Sequence, residues 1–240
     1  MTPPGTITDL LAALVRAGGA PRITWYGPDG ERVELSGAVT VNWVNKTANL
    51  LVEEFDVGPQ TVVGLDLPPH WRTLVWALAA WRVGASVDPR PSQADVLVTT
   101  DPLPHAGHAA LVAVALPALA RRFAGTLPGG AVDAGSAVMT YADQLLWAPP
   151  TVPTAPALAT ADAVIAHADL VPTLLATAPP APQRVLMSHD DTGAFLRTAV
   201  GVLHTGGSVV LLDPGVATEL AADAARRDRL VAAEQVTLEL

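Results

Sequence analysis

Thr61-Val62-Val63-Gly64-Leu65-Asp66-Leu67 is a short apolar run without clean alternation, the pattern of a strand covered on both faces. Pro68-Pro69-His70 then opens a helical stretch over residues 71–83 that Gly84 closes, and Ala85-Ser86-Val87-Asp88 begins a further strand. Strand, helix, strand in that order is the repeating unit of a parallel sheet, because parallel neighbours need a long crossover between them. Two more buried-strand runs follow, Ala94-Asp95-Val96-Leu97-Val98-Thr99-Thr100 and Ala110-Leu111-Val112-Ala113-Val114. The first run therefore predicts a central strand, and the whole predicts an α/β fold of mostly parallel sheets with covering helices.

Working outward, an opening helix is predicted over 7–16. The runs Ile23-Thr24-Trp25-Tyr26 and Arg32-Val33-Glu34-Leu35 read as two strands joined by the turn Gly27-Pro28-Asp29-Gly30. Ser36 is placed to cap the next helix, along which Val39, Trp43, Ala48, Leu50 and Leu51 recur until Asp56-Val57-Gly58-Pro59 stops it. Proline crowds residues 146–156, which disfavours helix and sheet interior and predicts an extended connector. The expected organisation is an N-terminal α/β subdomain over 1–145, that connector, and a smaller α/β portion over 157–240. The latter has helices over 168–178, 192–204 and 217–234 and strands at Arg184-Val185-Leu186-Met187-Ser188 and Ser208-Val209-Val210-Leu211-Leu212-Asp213.

Composition removes several function classes. The 240 residues carry a formal charge of −9 with Lys46 as the one lysine, which argues against a surface that tracks nucleic-acid phosphates. Cysteine is absent, so disulfides, thiolate metal sites and thiol nucleophiles are set aside. Arg16 interrupts the apolar run at 10–15 before it reaches the length of a signal core, and no apolar stretch approaches the roughly 20 residues of a membrane span. A soluble, cytoplasmic protein is expected.

The strand pair, the Ser36-capped helix and its Asn42-Trp43-Val44-Asn45-Lys46-Thr47-Ala48-Asn49-Leu50-Leu51 ending resemble the start of the acyl-CoA synthetase and adenylation-domain superfamily. The likeness continues through Gly58-Pro59-Gln60-Thr61-Val62-Val63-Gly64, where that superfamily has Gly-x-Gly-Asp-x-Val, and through Gly84-Ala85-Ser86-Val87-Asp88-Pro89 for its Gly-Ala-x-x-x-Pro turn. More closely, with Arg184-Val185-Leu186 and Gly206-Gly207-Ser208-Val209-Val210-Leu211-Leu212, the chain is similar to short acyl-CoA-synthetase-like proteins of high-GC bacteria. These are scaffold motifs. The resemblance implies a Ser/Thr/Gly-rich phosphate loop with a lysine ahead of a Ser-His helix start. Ala159-Thr160-Ala161-Asp162-Ala163 before His167 is the preferred equivalent, and residues 175–180 before Pro182-Gln183-Arg184 and Ser188-His189 the alternative. Neither carries the glycines or the lysine, so close backbone approach to a phosphate is disfavoured and its counter-charge is missing. The superfamily's magnesium, ribose and lid residues are likewise unmatched.

Other chemistry-bearing groups have plainer readings. His105 and His108 are spaced to share a metal but lie in a loop-like stretch, and Ser188-His189-Asp190-Asp191 holds the residue types of a hydrolase triad without the convergent placement one needs. Trp71, Trp76 and Trp81 spread around their helix, so at least one is expected at an interface or pocket rim, while Trp25 and Trp43 are expected in the core.

No catalytic residue and no metal ligand is assigned, and the cofactor-binding residues stay open, with ATP or AMP binding possible but disfavoured. The leading reading is a degenerate, non-catalytic acyl-CoA synthetase homologue that binds a ligand or partner. The alternatives are an enzyme component that retains nucleotide or acyl-CoA binding, and an unrelated hydrolase or metal enzyme. An unfinished superfamily sheet leaves an edge or face uncovered, so self-association is expected. Light scattering should give a solution mass above the 24.8 kDa of one chain; a strict monomer at high concentration counts against it.

Overall fold

The computed structural model describes residues 5–90, 93–159, 163–176 and 178–240. Helix α1 (Ile7–Arg16) starts in a capping box, Thr6 and Asp9 each accepting from the other's backbone N–H. It buries Ile7, Leu10, Leu11 and Leu14, one face at helical spacing. Strands β1 (Pro21–Tyr26) and β2 (Arg32–Ser36) pair antiparallel across the predicted turn. Helix α2 (Gly37–Phe55) follows directly, with the Ser36 hydroxyl accepting from Val39 N–H at 3.3 Å. Gly37 is required by contact, since a Cβ there would lie 2.1 Å from the Leu14 carbonyl oxygen.

Next come β3 (Val62–Asp66), α3 (Trp71–Arg82), β4 (Ser86–Asp88), β5 (Val96–Thr99), β6 (Leu111–Ala113) and β7 (Val132–Asp133), the last leading into the short α4 (Ala134–Ala137). Gly84 ends α3 with φ +82°, while the Ala85 N–H reaches back to the Ala80 carbonyl. That finish needs a residue free to turn left-handed. Beyond residue 155 lie β8 (Pro156–Ala159), β9 (Val164–Ala166), α5 (His167–Leu175), β10 (Arg184–Met187), α6 (Thr192–His204), β11 (Ser208–Leu212), α7 (Pro214–Ala222), α8 (Ala224–Ala233) and β12 (Leu238–Glu239). Among the described residues no helix is long and apolar enough to cross a membrane.

The chain forms two compact units that interleave in sequence. One comprises residues up to Thr40, Pro68–Trp71 and Pro172–Leu240; the other comprises Val41–Leu67 and Arg72–Val171. This differs from the linear division at 146–156. The first unit's sheet runs β12-β10-β11-β1-β2, with Ile23 of β1 opposite Val209 of β11 in parallel register. The N-terminal hairpin thus completes a sheet whose other strands lie near the opposite end of the sequence.

The second unit's sheet runs β7-β6-β5-β3-β4-β8-β9. Strand β3 occupies its middle, as the apolar run predicts, with Val63, Gly64 and Leu65 buried. The proline-rich segment is extended up to residue 155 but lies within this unit, and it is followed by an antiparallel hairpin, β8 with β9, that the sequence did not announce. The helix expected over 217–234 is two helices. Asp223 adopts φ −126° and ψ 85° and caps α8 through Arg226 N–H, because an aspartate side chain competes for backbone donors and favours a helix start over a helix interior.

One polar face of α2 organises the second unit. Asn45 Nδ2 donates to the Asp143 carbonyl at 2.8 Å, and Lys46 Nζ to the Tyr141 carbonyl at 2.6 Å. One turn on from Asn45, Asn49 Nδ2 donates to the carbonyls of Ala142 and Gln144, while its Oδ1 accepts from Leu146 N–H. These side chains satisfy the backbone of a segment that makes no ladder of its own. Replacing the buried Asn49 by alanine removes three such bonds and should lower unfolding stability by about 2–4 kcal/mol at roughly 1 kcal/mol each, read from urea denaturation.

Candidate functional site

At the carboxyl ends of β10 and β11 the first unit opens into a cleft of about 300 Å³. Its base is apolar, with Leu186, Leu212 and Leu220 belonging to a buried cluster completed by Val210 and Val216. The turn out of β11 builds one wall. Asp213 caps α7 by accepting from Gly215 N–H at 2.8 Å, and Pro214 fixes the first helical φ. Carboxyl ends of parallel strands are where open α/β sheets bind ligands.

The polar lining is sparse. Ser188 follows Leu186 by two residues and so shares its face of the sheet; its hydroxyl donates to the Leu212 carbonyl at 3.2 Å. Arg227 of α8 and Glu239 of β12, each more than one-third exposed, form an ion pair beside it.

Beneath the same elements, the Glu234 carboxylate is 6% exposed. It accepts from Tyr26 Oη at 2.6 Å, from Arg32 Nε at 2.9 Å and from the Arg184 guanidinium. Arg184 also donates to Thr24 Oγ1 and Ser208 Oγ. Burial alone would raise the Glu234 pKa, but these donors hold it below the ordinary value. The Tyr26 phenol is pushed up, by burial first and then by its bond to Glu234.

The residues singled out in the sequence do not converge on a reactive centre. Ser188 is spent on Leu212, Asp191 caps α6 through Ala194 N–H at 2.6 Å, and the buried Nε2 of His189 has no hydrogen-bond partner. No serine–imidazole–carboxylate relay links them. His105 Nε2 lies 3.5 Å from Asp66. The His108 ring accepts at Nδ1 from Ala110 N–H, so its Nε2 carries the proton and donates to the Ala94 carbonyl at 2.9 Å. The two rings serve different partners, and no group of three or more acidic or histidine side chains among the described residues is placed to hold a metal ion.

Around the preferred phosphate-loop equivalent, residues 160–162 lie outside those described. The flanking β8 and β9 pair antiparallel, and α5 starts at His167. Its first amides are already committed, His167 N–H to the Ala155 carbonyl and Ala168 N–H to that of Pro153. The His167 imidazole donates to the Gly84 carbonyl at 3.0 Å, and burial lowers its pKa against the opposing effect of that bond. In the alternative placement, residue 177 is outside the described set, and Arg184 to Met187 form the interior strand β10.

The tryptophans correct one expectation. Trp71, Trp76 and Trp81 are all at most 3% exposed, so α3 is packed all round and offers no aromatic rim. Trp81 Nε1 is satisfied by the Ala157 carbonyl at 2.7 Å. Trp25 is buried as expected, whereas Trp43 is half-buried with the Arg72 guanidinium over its ring at 5.4 Å. The cleft itself was not foreseen, because leucines and alanines that line a cavity look in sequence like leucines and alanines that fill a core.

No protein-family profile matches the chain. Over 157 residues it is 38% identical to the TIGR03089 family protein of Mycobacterium tuberculosis, an alignment covering 61% of this chain and 65% of that one. The structure superposes on an acyl-CoA synthetase from Brucella canis with a TM-score of 0.70 at 18% identity, over 91% of this chain and 45% of the synthetase. Coronafacic acid ligase from Pectobacterium brasiliense gives 0.69 at 10% identity, over 90% and 47% respectively. VinN, solved with L-aspartate, gives 0.62 at 15% identity, over 91% and 60%. The chain therefore spans 65% of the mycobacterial relative and less than half of the synthetase and the ligase. At these identities the likeness is one of fold, and it bears out the acyl-CoA-synthetase resemblance drawn from the sequence.

Acid should weaken this protein in two stages. His167 and His189 have folded pKa values below 6.5, so as pH falls past that value the unfolded chain takes up protons first and stability drops. Glu234, held below 4.5 when folded, contributes stability above that pH and loses it as pH falls through the folded value. Melting temperature should accordingly decline between pH 7 and 5 and again below about pH 4. Glu234→Gln should cost about 3 kcal/mol at neutral pH and flatten the second decline.

Proposed function

We propose that this chain, with the fold of acyl-CoA synthetases, is a non-catalytic homologue that binds a ligand rather than forming an adenylate. The observation that carries the proposal is the state of its one lysine. Lys46 Nζ donates to the Tyr141 carbonyl at 2.6 Å and pairs with Asp143 at 2.7 Å, its side chain 18% exposed. A lysine held this way is a structural clamp, and moving it to a triphosphate would strip two partners from a mostly buried cation.

The composition of 159–163 points the same way. With no glycine to let the backbone close on a phosphate, and with Asp162 adding negative charge, the segment is poorly suited to an anion. The polar-poor cleft of the first unit offers a concave, mainly apolar surface of the kind small molecules occupy. A chain without cysteine is at ease in a reducing compartment, and the proposal puts it in the cytoplasm.

Calorimetric titration of the purified chain with ATP, AMP and an acyl-CoA tests the reading. No saturable heat is expected from the nucleotides up to millimolar concentration. Saturable ATP binding, or ATP–pyrophosphate exchange in the presence of a carboxylic acid, would sink it in favour of a retained nucleotide-binding role.

A further inference from the structure

We infer that the cleft at the ends of β10 and β11 takes a small, uncharged, mainly apolar molecule bearing one hydrogen-bond donor, which the Ser188 oxygen accepts. The inference rests on the ligand-binding reading above and names the chemistry of that ligand.

The apolar body follows from the walls. Leu186, Leu212 and Leu220 continue into the buried cluster beneath them, so a ligand resting there removes apolar surface from water on both sides. Size follows from volume. A dry cavity of about 150 Å³ accommodates benzene, so a cleft of about 300 Å³ suits roughly ten non-hydrogen atoms.

Neutrality follows from the ion pair. The two charged side chains that line the cleft, Arg227 and Glu239, already neutralise each other. An anion would have to take Arg227 from Glu239, and a cation would have to take Glu239 from Arg227. Because the pair is internally neutral, neither ion finds a net counter-charge in the cleft to offset the loss of its own hydration against the apolar wall, and the overall charge of −9 further disfavours an anion.

The donor requirement follows from Ser188. A carbonyl oxygen can only accept, so the 3.2 Å contact with Leu212 uses the serine proton. What the hydroxyl has left to offer is lone pairs. A ligand hydroxyl or N–H complements it; a ketone or ether oxygen at that point would meet an oxygen with no hydrogen to give.

Methyl-labelled full-length chain, titrated with octan-1-ol, sodium octanoate and octylamine and followed by two-dimensional carbon–proton spectra, tests this. Octan-1-ol should shift the methyls of Leu186, Leu212 and Leu220 saturably, with octanoate and octylamine at least tenfold weaker. Ser188→Ala should weaken the alcohol roughly fivefold, the worth of one ordinary hydrogen bond. Ala217→Leu, which fills the cleft from α7, should abolish binding while Ser188→Ala keeps the fold. The inference is overturned if the alcohol gives no saturable shift, if either ion matches it, or if neither variant changes its affinity. Each of those failures leaves the nucleotide titration to decide independently whether the chain is non-adenylating.

Discussion

The first unit depends on one carboxylate. Glu234 gathers Tyr26 and Arg32 from the N-terminal hairpin and Arg184 from β10, elements that the sequence keeps far apart. A buried charge of this kind is tolerable only when its lone pairs are filled by well-placed donors. Here they are, and the same guanidinium that answers Glu234 also reaches Thr24 and Ser208. The position of α8, the short β12 strand and hence one side of the cleft all follow from keeping that carboxylate satisfied.

The second unit solves a different problem with a similar device. Residues 141–146 run without a ladder partner, and their carbonyls are met by Asn45, Lys46 and Asn49 from a single helix face. These residues lie in the stretch that carries the resemblance to acyl-CoA synthetases. Their role here is to hold backbone, and the chain's one lysine is engaged in that work through Tyr141 and Asp143.

Elements whose own pattern decides their structure were legible in the sequence. The β3 run, the hairpin turn at 27–30, α3 with its Gly84 finish and the α6–β11 pair all appear where local signals put them. Elements decided by tertiary contact were not. Strand β12 has two residues and exists through pairing with β10; β8 and β9 are short segments that become strands by pairing with each other, β8 also pairing with β4. The tryptophan spacing on α3 was read correctly as spreading around the helix, but whether a neighbour covers each side is not written in the helix itself. Ser188 was noticed as the first residue of a Ser-His-Asp string, whereas its hydroxyl bonds the Leu212 carbonyl. Its use as a lone-pair donor depends on the Leu212 carbonyl, which only the folded sheet brings near.

The parallel pairing of β1 with β11 has a consequence for synthesis. At roughly 5–20 residues per second, about ten to forty seconds separate the emergence of Ile23 from that of its partner Val209. A two-stranded hairpin is marginal by itself in water, and during that interval the β1 edge has no strand beside it. The nascent chain must therefore keep an apolar hairpin in waiting, and its vulnerability to chaperones, proteases and wrong pairings is set by the ribosome's pace rather than by the stability of the finished fold.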